Sequence, residues 1–310
     1  MKSIILSLLL VLPAFADVKV ARDKDHITVE INGKPFTAFY FGPETTKPYL
    51  HPLRSASGKI VTRQFPMENV EGETRDHPHH QGLWFTHGDV NGIDFWSGAA
   101  GRSPKKGKVV LDRIVSTKSG KDQGSITARF NWVGPDGKVV LTETREMIFR
   151  ADPQNRVIDF DITLKANDSV KFGDTKEGTF AIRLADVLNE KHTGTMVNAE
   201  GAQKMENVWG KASPWVDYVG ELDGEKLGIA IMDHPGNPGH PTYWHSRDYG
   251  LFAANIFGHH DFLDDKTKDG SRTLKPGETM RFRYRVLIHP GDTKAADLSK
   301  LYSQYAHGTS

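Results

Sequence analysis

Apolar and polar side chains alternate strictly through one short stretch, Ile158-Asp159-Phe160-Asp161-Ile162-Thr163-Leu164. The segment from Met280 to Ile288 repeats the pattern, with arginines between its first apolar residues: Arg281, Arg283 and Arg285. A period of two with one polar face is typical of antiparallel strands that bury one side. Both segments therefore predict a sheet with one face in the core.

Turn residues separate further strand-like runs. Asn32-Gly33, Pro135-Asp136-Gly137 and Asp223-Gly224 each lie between two apolar runs, as hairpin loops do. We predict more strands at residues 109–116, 125–133, 139–149, 157–164, 179–184 and 227–232. About a dozen strands usually divide into two packed sheets. The sequence therefore predicts an all-β fold, a large antiparallel two-sheet β-sandwich.

The two ends of the chain differ from this pattern. Residues 293–306 have apolar side chains at helical spacing and predict an amphipathic C-terminal helix. Residues 1–16 begin with Met1-Lys2, continue as an apolar run and end in Pro13-Ala14-Phe15-Ala16, which predicts a cleavable signal peptide and a periplasmic or secreted protein. No repeat or linker divides residues 17–310, so we predict one domain there.

Composition limits the partners. The formal net charge is +1 and falls to about zero without Lys2, which gives no reason to expect a nucleic-acid partner. No later apolar stretch is long enough to span a bilayer, so we predict no membrane insertion. The sequence has no P-loop, no dinucleotide-binding glycine fingerprint, no G-x-S-x-G and no H-E-x-x-H. We therefore predict no nucleotide cofactor and favour proton transfer by histidine.

Four histidines lie close together in the stretch Arg75-Asp76-His77-Pro78-His79-His80-Gln81-Gly82-Leu83-Trp84-Phe85-Thr86-His87-Gly88-Asp89. In extended backbone His77 and His79 would point to one face, so we predict that they bind one divalent metal ion, with His87 or Asp89 as a third ligand. The chain has no cysteine, so any metal site uses nitrogen and oxygen ligands. The alternative is a metal-free histidine cluster that binds sugar hydroxyls.

Three further polar segments, residues 174–178, 234–240 and 243–258, are predicted to meet the histidine stretch at one cleft. We predict His80 or His87 as the general base, with Glu177 or Asp174 as acid partner. Arg247 with His245 would stabilise negative charge, unless the arginine merely bridges two strands. Trp84 and Trp96 would either stack on a sugar ring or belong to the core. The residues predicted to bind substrate are Trp84, Asp89, Asn91, Trp96, Lys176, His234, Asn237, Tyr243, Tyr249 and Asn255.

The histidine stretch, together with His87-Gly88-Asp89-Val90-Asn91-Gly92, Asp174-Thr175-Lys176-Glu177-Gly178 and Tyr243-Trp244-His245-Ser246-Arg247-Asp248-Tyr249, resembles a family of exported bacterial proteins, the PmoA-like or DUF6807 family. That family is similar to the galactose-mutarotase supersandwich group of sugar epimerases, polysaccharide lyases and carbohydrate-binding domains. The resemblance implies a mutarotase-like supersandwich that binds a sugar or glycoside in a cleft of histidines, acids and an arginine. A fold by itself does not settle a reaction.

Two classes of function follow. The first is an exported carbohydrate-active enzyme, a lyase, hydrolase or epimerase that uses histidine and carboxylate groups with or without a metal. The second is a glycan-binding module of the same fold, which explains clustered histidines poorly because simple binding gains little from groups that titrate near neutrality. A minor alternative is a cupin-like metal oxygenase, which also begins from a His-x-His strand.

Overall fold

The computed structural model describes residues 17–98 and 103–308, so the predicted signal peptide lies outside the described residues. The strands are β1 (Asp17–Arg22), β2 (His26–Ile31), β3 (Lys34–Tyr40), β4 (Tyr49–His51), β5 (Leu83–His87), β6 (Lys108–Lys118), β7 (Gly120–Lys121), β8 (Gln123–Val133), β9 (Val139–Ala151), β10 (Arg156–Ala166), β11 (Val170–Phe172), β12 (Gly178–Arg183), β13 (Thr195–Asn198), β14 (Trp215–Leu222), β15 (Glu225–Asp233), β16 (Tyr243–Ser246), β17 (Leu251–Asn255), β18 (Arg272–Leu274) and β19 (Thr279–Pro290). The α-helices are α1 (Met205–Val208), α2 (His259–Phe262) and α3 (Leu298–His307).

These strands form two large antiparallel sheets and one small one. The nine-stranded sheet has the order β16-β17-β12-β5-β4-β3-β2-β1-β7, and the eight-stranded sheet has the order β13-β14-β15-β19-β10-β9-β8-β6. Strands β11 and β18 pair separately. The predicted all-β, two-sheet architecture is confirmed, and each of the six predicted strand segments lies largely or wholly within an observed strand.

The two segments with strict alternation are neighbours in the eight-stranded sheet. Strand β10 pairs with β19, so that Phe160 lies opposite Tyr284 and Asp159 opposite Arg285. On the polar face Arg285 Nε donates to Asp159 Oδ1 at 2.5 Å. On the apolar face Phe160 and Tyr284 both contact Phe180 of β12, with ring centroids 4.8 and 4.5 Å away. The core therefore lies between the two large sheets.

The C-terminal helix begins later than its apolar spacing predicts, at Leu298 rather than at residue 293. Thr293 instead uses its hydroxyl to donate to the buried carboxylate of Asp217 at 2.7 Å. Helix α3 packs on the outer face of the eight-stranded sheet, where Leu298 contacts a cluster that includes Trp215 and Met232. In the described part of the chain, no helix combines the length and apolar character needed to cross a membrane.

Candidate active site

The outer face of the nine-stranded sheet carries the candidate site, and the alternation of β5 determines which side chains reach it. Phe85 points into the core, where it contacts Trp132 and Phe282. Trp84 points outward into a separate cluster with Tyr49 and Trp96. Strand β12 pairs with β5 and β17, and β17 pairs with β16. The register of these pairs places Arg183 of β12 and His245 of β16 on the same outward face. The loop between β4 and β5, residues 52–82, folds over this face.

Asp76 in that loop is held by two arginines whose side chains are completely buried. Arg63 Nη1 and Arg183 Nη2 both donate to Asp76 Oδ1, the latter at 2.7 Å. Arg63 also donates to the backbone carbonyls of Asp76 at 2.9 Å and His77 at 3.0 Å. Burial acts to raise the pKa of Asp76, but Arg183, Arg63 and His77 outweigh it, so the pKa is lowered. The carboxylate is therefore ionised and fixed in position.

His77 forms a dyad with this carboxylate. Its Nδ1 lies 3.2 Å from Asp76 Oδ2, within ion-pair distance, and His77 contributes to lowering the pKa of Asp76. The ring stacks with those of His80 and Tyr249, with centroids 4.8 and 5.1 Å away. The side chain is 41% exposed, and Nε2 has no hydrogen-bond partner among the described residues. His77 thus places a partly exposed ring, with Nε2 unpaired among the described residues, beside an ionised carboxylate.

His80, by contrast, is 1% exposed. Its Nδ1 lies 3.4 Å from Arg183 Nη1, and because a guanidinium only donates, this nitrogen accepts. Burial, with His79 and Arg183 nearby, holds the pKa of His80 well below its ordinary value. The prediction of His80 as a base open to substrate does not fit this position, because His77 and Trp84 cover both faces of its ring.

The metal-binding prediction for His77 and His79 assumed extended backbone, and that assumption is wrong. His77 has φ of 43°, and the amide of His80 donates to the carbonyl of His77 at 2.9 Å, so the segment is a tight turn. The two rings meet edge to face with centroids 5.7 Å apart. Among the described residues, a group with three potential ligand atoms within 4.8 Å of one another lies elsewhere, at Asp174, His260 and Asp269.

A second half of the site is built around Arg247, in the turn between β16 and β17. His245 Nδ1 donates to the carbonyl of Lys176 at 2.8 Å, which leaves its Nε2 to accept from Arg247 Nε at 3.2 Å. The guanidinium carbon of Arg247 lies 3.9 Å from the ring centre of Trp209. Burial, followed by the charge of Arg247, lowers the pKa of His245 to about 3. His245 therefore stays neutral and orients the arginine.

Glu177 lies in the turn before β12, next to Lys176, whose carbonyl accepts from His245. The amide of Gly88 donates to the Glu177 carbonyl at 2.7 Å, and any Cβ at Gly88 would come within 2.8 Å of the Glu177 Cβ. Asn255 supports the same turn by donating to the carbonyls of Thr175 at 2.9 Å and Lys176 at 3.1 Å. The Glu177 carboxylate is 35% exposed and lies 3.4 Å from Lys176 Nζ. A carboxylate is thus presented at the surface of the site.

Tyr249 links the two halves. Its ring stacks on His77, and the guanidinium carbon of Arg183 lies 4.5 Å from its centre. Burial raises its pKa to about 12, and the charges of Arg247, Arg183, Glu177 and Asp76 all act on it. His77 and Arg183 therefore both contact the ring of Tyr249.

Both predicted stacking tryptophans are core residues rather than a platform. Trp84 and Trp96 are 1% and 0% exposed. Lys47, also fully buried, donates to the carbonyls of Trp96 at 2.6 Å and His79 at 2.8 Å. Burial lowers the pKa of this lysine to about 7. Lys47 therefore links the backbone at His79 to the backbone at Trp96 beside this aromatic cluster.

His87 and Asp174 do not share the outer face. His87 points into the core against Phe172 and Phe257, and its Nε2 lies 2.8 Å from the carbonyl of Gly173. The Asp174 side chain is 3% exposed and accepts from the amides of His260 at 3.2 Å and Gly270 at 2.6 Å. These positions argue against His87 as base and Asp174 as its acid partner, because neither group reaches the space around Tyr249.

The remaining predicted residues are distributed over several surfaces. Asp89 and Asn91 shape the turn after β5, where the Asp89 carboxylate accepts from Gly92 at 2.8 Å and the Asn91 side chain from Lys171 at 2.8 Å. His234 contacts Tyr305 of α3, and Asn237 donates to Asp233 at 2.7 Å, both beside the other sheet. Tyr243 lies on the outer face but packs against His259 and Phe262.

Sequence reasoning missed five residues of the site: Lys47, Arg63, Asp76, Arg183 and Trp209. Asp76 lies inside the histidine stretch, so its proximity to His77 was a usable signal. The others come from distant parts of the chain and are isolated cations or aromatics in sequence. No local pattern distinguishes them.

Comparison with known proteins gives a family and distant structural neighbours. The model of DUF6807, described as a family of unknown function, matches residues 26–303. No curated protein matches the sequence. An α-galactosidase from Lactobacillus brevis is similar at 11% identity and TM-score 0.43, over 88% of this chain and 39% of that one. Galactose mutarotase-like proteins from Lactobacillus casei (9%, TM-score 0.38) and Clostridium acetobutylicum (9%, TM-score 0.39) are matched over 88% of this chain and 100% and 98% of theirs. The chain spans about two fifths of the α-galactosidase.

Proposed function

The chain belongs to the DUF6807 family, whose function is unknown, and we therefore propose its function from the geometry of its own site. It is a carbohydrate-active enzyme that transfers protons at the outer face of the nine-stranded sheet. His77 is the general base, Asp76 orients it, and Glu177 is the acid partner. The N-terminal signal pattern supports export, so that the substrate would be a sugar or glycoside outside the cytoplasm.

The Asp76–His77 dyad is the observation that carries the proposal. A carboxylate that fixes one imidazole nitrogen leaves the other as a base of defined tautomer and direction. Two buried arginines hold the carboxylate itself, so the arrangement does not depend on a mobile surface ion pair. Burying two arginines to hold Asp76 costs desolvation free energy. The packing of a partly exposed histidine does not by itself require that cost.

Glu177 and the ring of Tyr249 complete the chemistry. Glu177 follows Lys176, whose carbonyl accepts from His245 on the outer face of the sheet, and Tyr249 stacks on His77. A sugar suits this surface because its hydroxyls can pair with His77 and Glu177 while its C–H face contacts aromatic carbon. The reaction class is proton transfer at a sugar carbon or glycosidic oxygen, which includes a lyase, a hydrolase and an epimerase.

The proposal is tested by following sugars with the purified protein in deuterated water by NMR. A panel of neutral, oxidised and acidic sugars and their glycosides would be scanned for deuterium incorporation at carbon or for bond cleavage. We expect His77→Asn to lower the rate by about 100-fold or more, the usual contribution of a general base. His192→Gln is the matched control, because His192 is exposed and its Nδ1 is likewise held, by Asn189 at 2.9 Å, outside the site.

Unfolding curves of the variants would establish that both are folded. Equal rates in wild-type protein and folded His77→Asn would refute the role of His77. Binding of sugars without any conversion would instead favour a glycan-binding module.

A further inference from the structure

Arg247 is held on three sides, yet its two terminal nitrogens are uncommitted. His245 accepts from Nε at 3.2 Å, Trp209 covers one face of the guanidinium at 3.9 Å, and the Arg247 backbone closes the β16–β17 turn with Leu251 at 2.8 Å. Neither Nη1 nor Nη2 has a hydrogen-bond partner among the described residues. The guanidinium is therefore held in place while Nη1 and Nη2 stay available as donors. Proteins bind planar anions such as carboxylates with arginines in this arrangement.

The charged side chains around the site also carry more positive than negative charge. Arg63 and Arg183 share Asp76, and Lys176 is paired with Glu177. No carboxylate of the described residues lies within 4.0 Å of Arg247. A half-buried guanidinium without a counter-ion is unfavourable in the free protein, and an anionic ligand would relieve that cost.

We propose that Arg247 binds a carboxylate group of the substrate, so that the substrate is an acidic sugar such as a uronate. This inference rests on the proposed function, since it places the carboxylate at one end of a sugar whose reacting atom faces the Asp76–His77 dyad. Tyr249 connects the two groups, because its ring stacks on His77 and it lies two residues after Arg247 in the same turn. The guanidinium thus sets the orientation of the ring relative to the base.

His245 is a positioning residue in this arrangement. Its Nδ1 proton is committed to the Lys176 carbonyl, so Nε2 keeps a lone pair that only a donor can satisfy. Protonation of His245 would put two cations side by side, and its burial prevents that. Lys176 belongs to the turn that carries Glu177, so the same hydrogen bond connects the anion-binding arginine to the acid partner.

Direct binding tests the proposal without requiring turnover. The methyl glycosides of glucuronate and galacturonate would be titrated by calorimetry against the wild-type protein, beside the methyl glycosides of glucose and galactose and glucose 6-phosphate. We expect the uronates to bind and the neutral glycosides to bind about 10- to 100-fold more weakly, the difference that a charge-assisted hydrogen-bond pair makes. Arg247→Gln should weaken uronate binding by about 10- to 100-fold and so remove this preference.

Arg281→Gln is the matched control, because Arg281 is an exposed arginine paired with Asp161 on the other sheet. Arg247→Lys keeps the charge but not the paired Nη1 and Nη2 donors, so it should recover part of the preference and covers the case in which the glutamine variant does not fold. Equal affinity for uronate and neutral glycosides, no binding of either uronate at millimolar concentration, or tighter binding of the phosphate ester would each overturn the proposal.

The two hypotheses fail separately. Uronate binding that depends on Arg247, with no reaction in the presence of His77, would uphold the carboxylate site and refute the enzymatic function. Turnover of neutral sugars that depends on His77 but not on Arg247 would do the reverse.

Discussion

Mild acid should destabilise this protein because several buried histidines are kept neutral by the fold. Burial lowers the pKa of His51 and His87 to about 4 and that of His245 to about 3, from an ordinary value of 6.5. In the unfolded chain these imidazoles take up protons near pH 6.5, whereas in the folded protein they do not. The free energy of unfolding is therefore unaffected above that pH and falls as the pH drops toward about 4.

His51 allows this effect to be measured at a single residue. It is 2% exposed at the end of β4, and neither ring nitrogen has a hydrogen-bond partner among the described residues. A folded pKa of about 4 lowers the free energy of unfolding by about 2 kcal/mol between about pH 7.5 and about pH 5, at 1.36 kcal/mol per pH unit. Leucine binds no proton, so His51→Leu should be less sensitive to acid by that amount.

The assay is urea unfolding, followed by tryptophan fluorescence, of wild-type protein and His51→Leu at both pH values. His307→Gln serves as the control, because it removes an exposed histidine, at the end of α3, rather than a buried one. If His51→Leu loses as much free energy of unfolding on acidification as the wild type, the reasoning is refuted.

Three further outcomes are expected. Asp76→Asn should lower the free energy of unfolding by about 3 kcal/mol in urea titrations, since it leaves two buried arginines without a counter-ion; a change below about 0.5 kcal/mol would contradict this. The pKa of Lys47 is about 7 in the folded protein and 10.5 in the unfolded chain. Between these two pH values the unfolded chain binds one more proton than the folded protein, so the free energy of unfolding rises with pH. Wild-type protein should gain about 2 kcal/mol relative to Lys47→Met from about pH 7.5 to about pH 9.5, and parallel curves would rule this out. Any divalent ion found by elemental analysis should be lost in Asp269→Asn and kept in His79→Asn. The opposite result would support the metal site predicted from the sequence at His77 and His79.

The fold was predictable because the decisive information is local. Strict alternation in β10 and β19 specifies strands with one buried face, and Asn32-Gly33 supplies two positive φ angles, 54° and 71°, for a tight hairpin. The start of α3 was not predictable in the same way. Thr293 has helical spacing to the residues that follow, but its hydroxyl is committed to Asp217, which is 76 positions away in the chain.

The candidate site was only partly predictable, and the errors have identifiable causes. In β5, Trp84 and His87 are an odd number of positions apart, so they must face opposite sides of the sheet. With Trp84 on the outer face, His87 would have been predicted to point into the core. The His77 turn was not foreseen, because a positive φ is uncommon at residues other than glycine, and here the turn is also held by a hydrogen bond from Arg63. Arg183 was missed since its role depends on the pairing of β12 with β5.

The anchoring of Asp76 also determines how the β4–β5 loop moves. Irregular loops usually open on their own, with a free energy far below that of global unfolding. Here opening would expose Arg63 and Arg183 without their partner and would detach the loop from β12, a central strand of the nine-stranded sheet. Amides around residues 76–80 should consequently exchange their hydrogens together with the sheet, in one cooperative unit. The dyad lies in a loop, but the free energy needed to open that loop should equal the free energy needed to open the sheet.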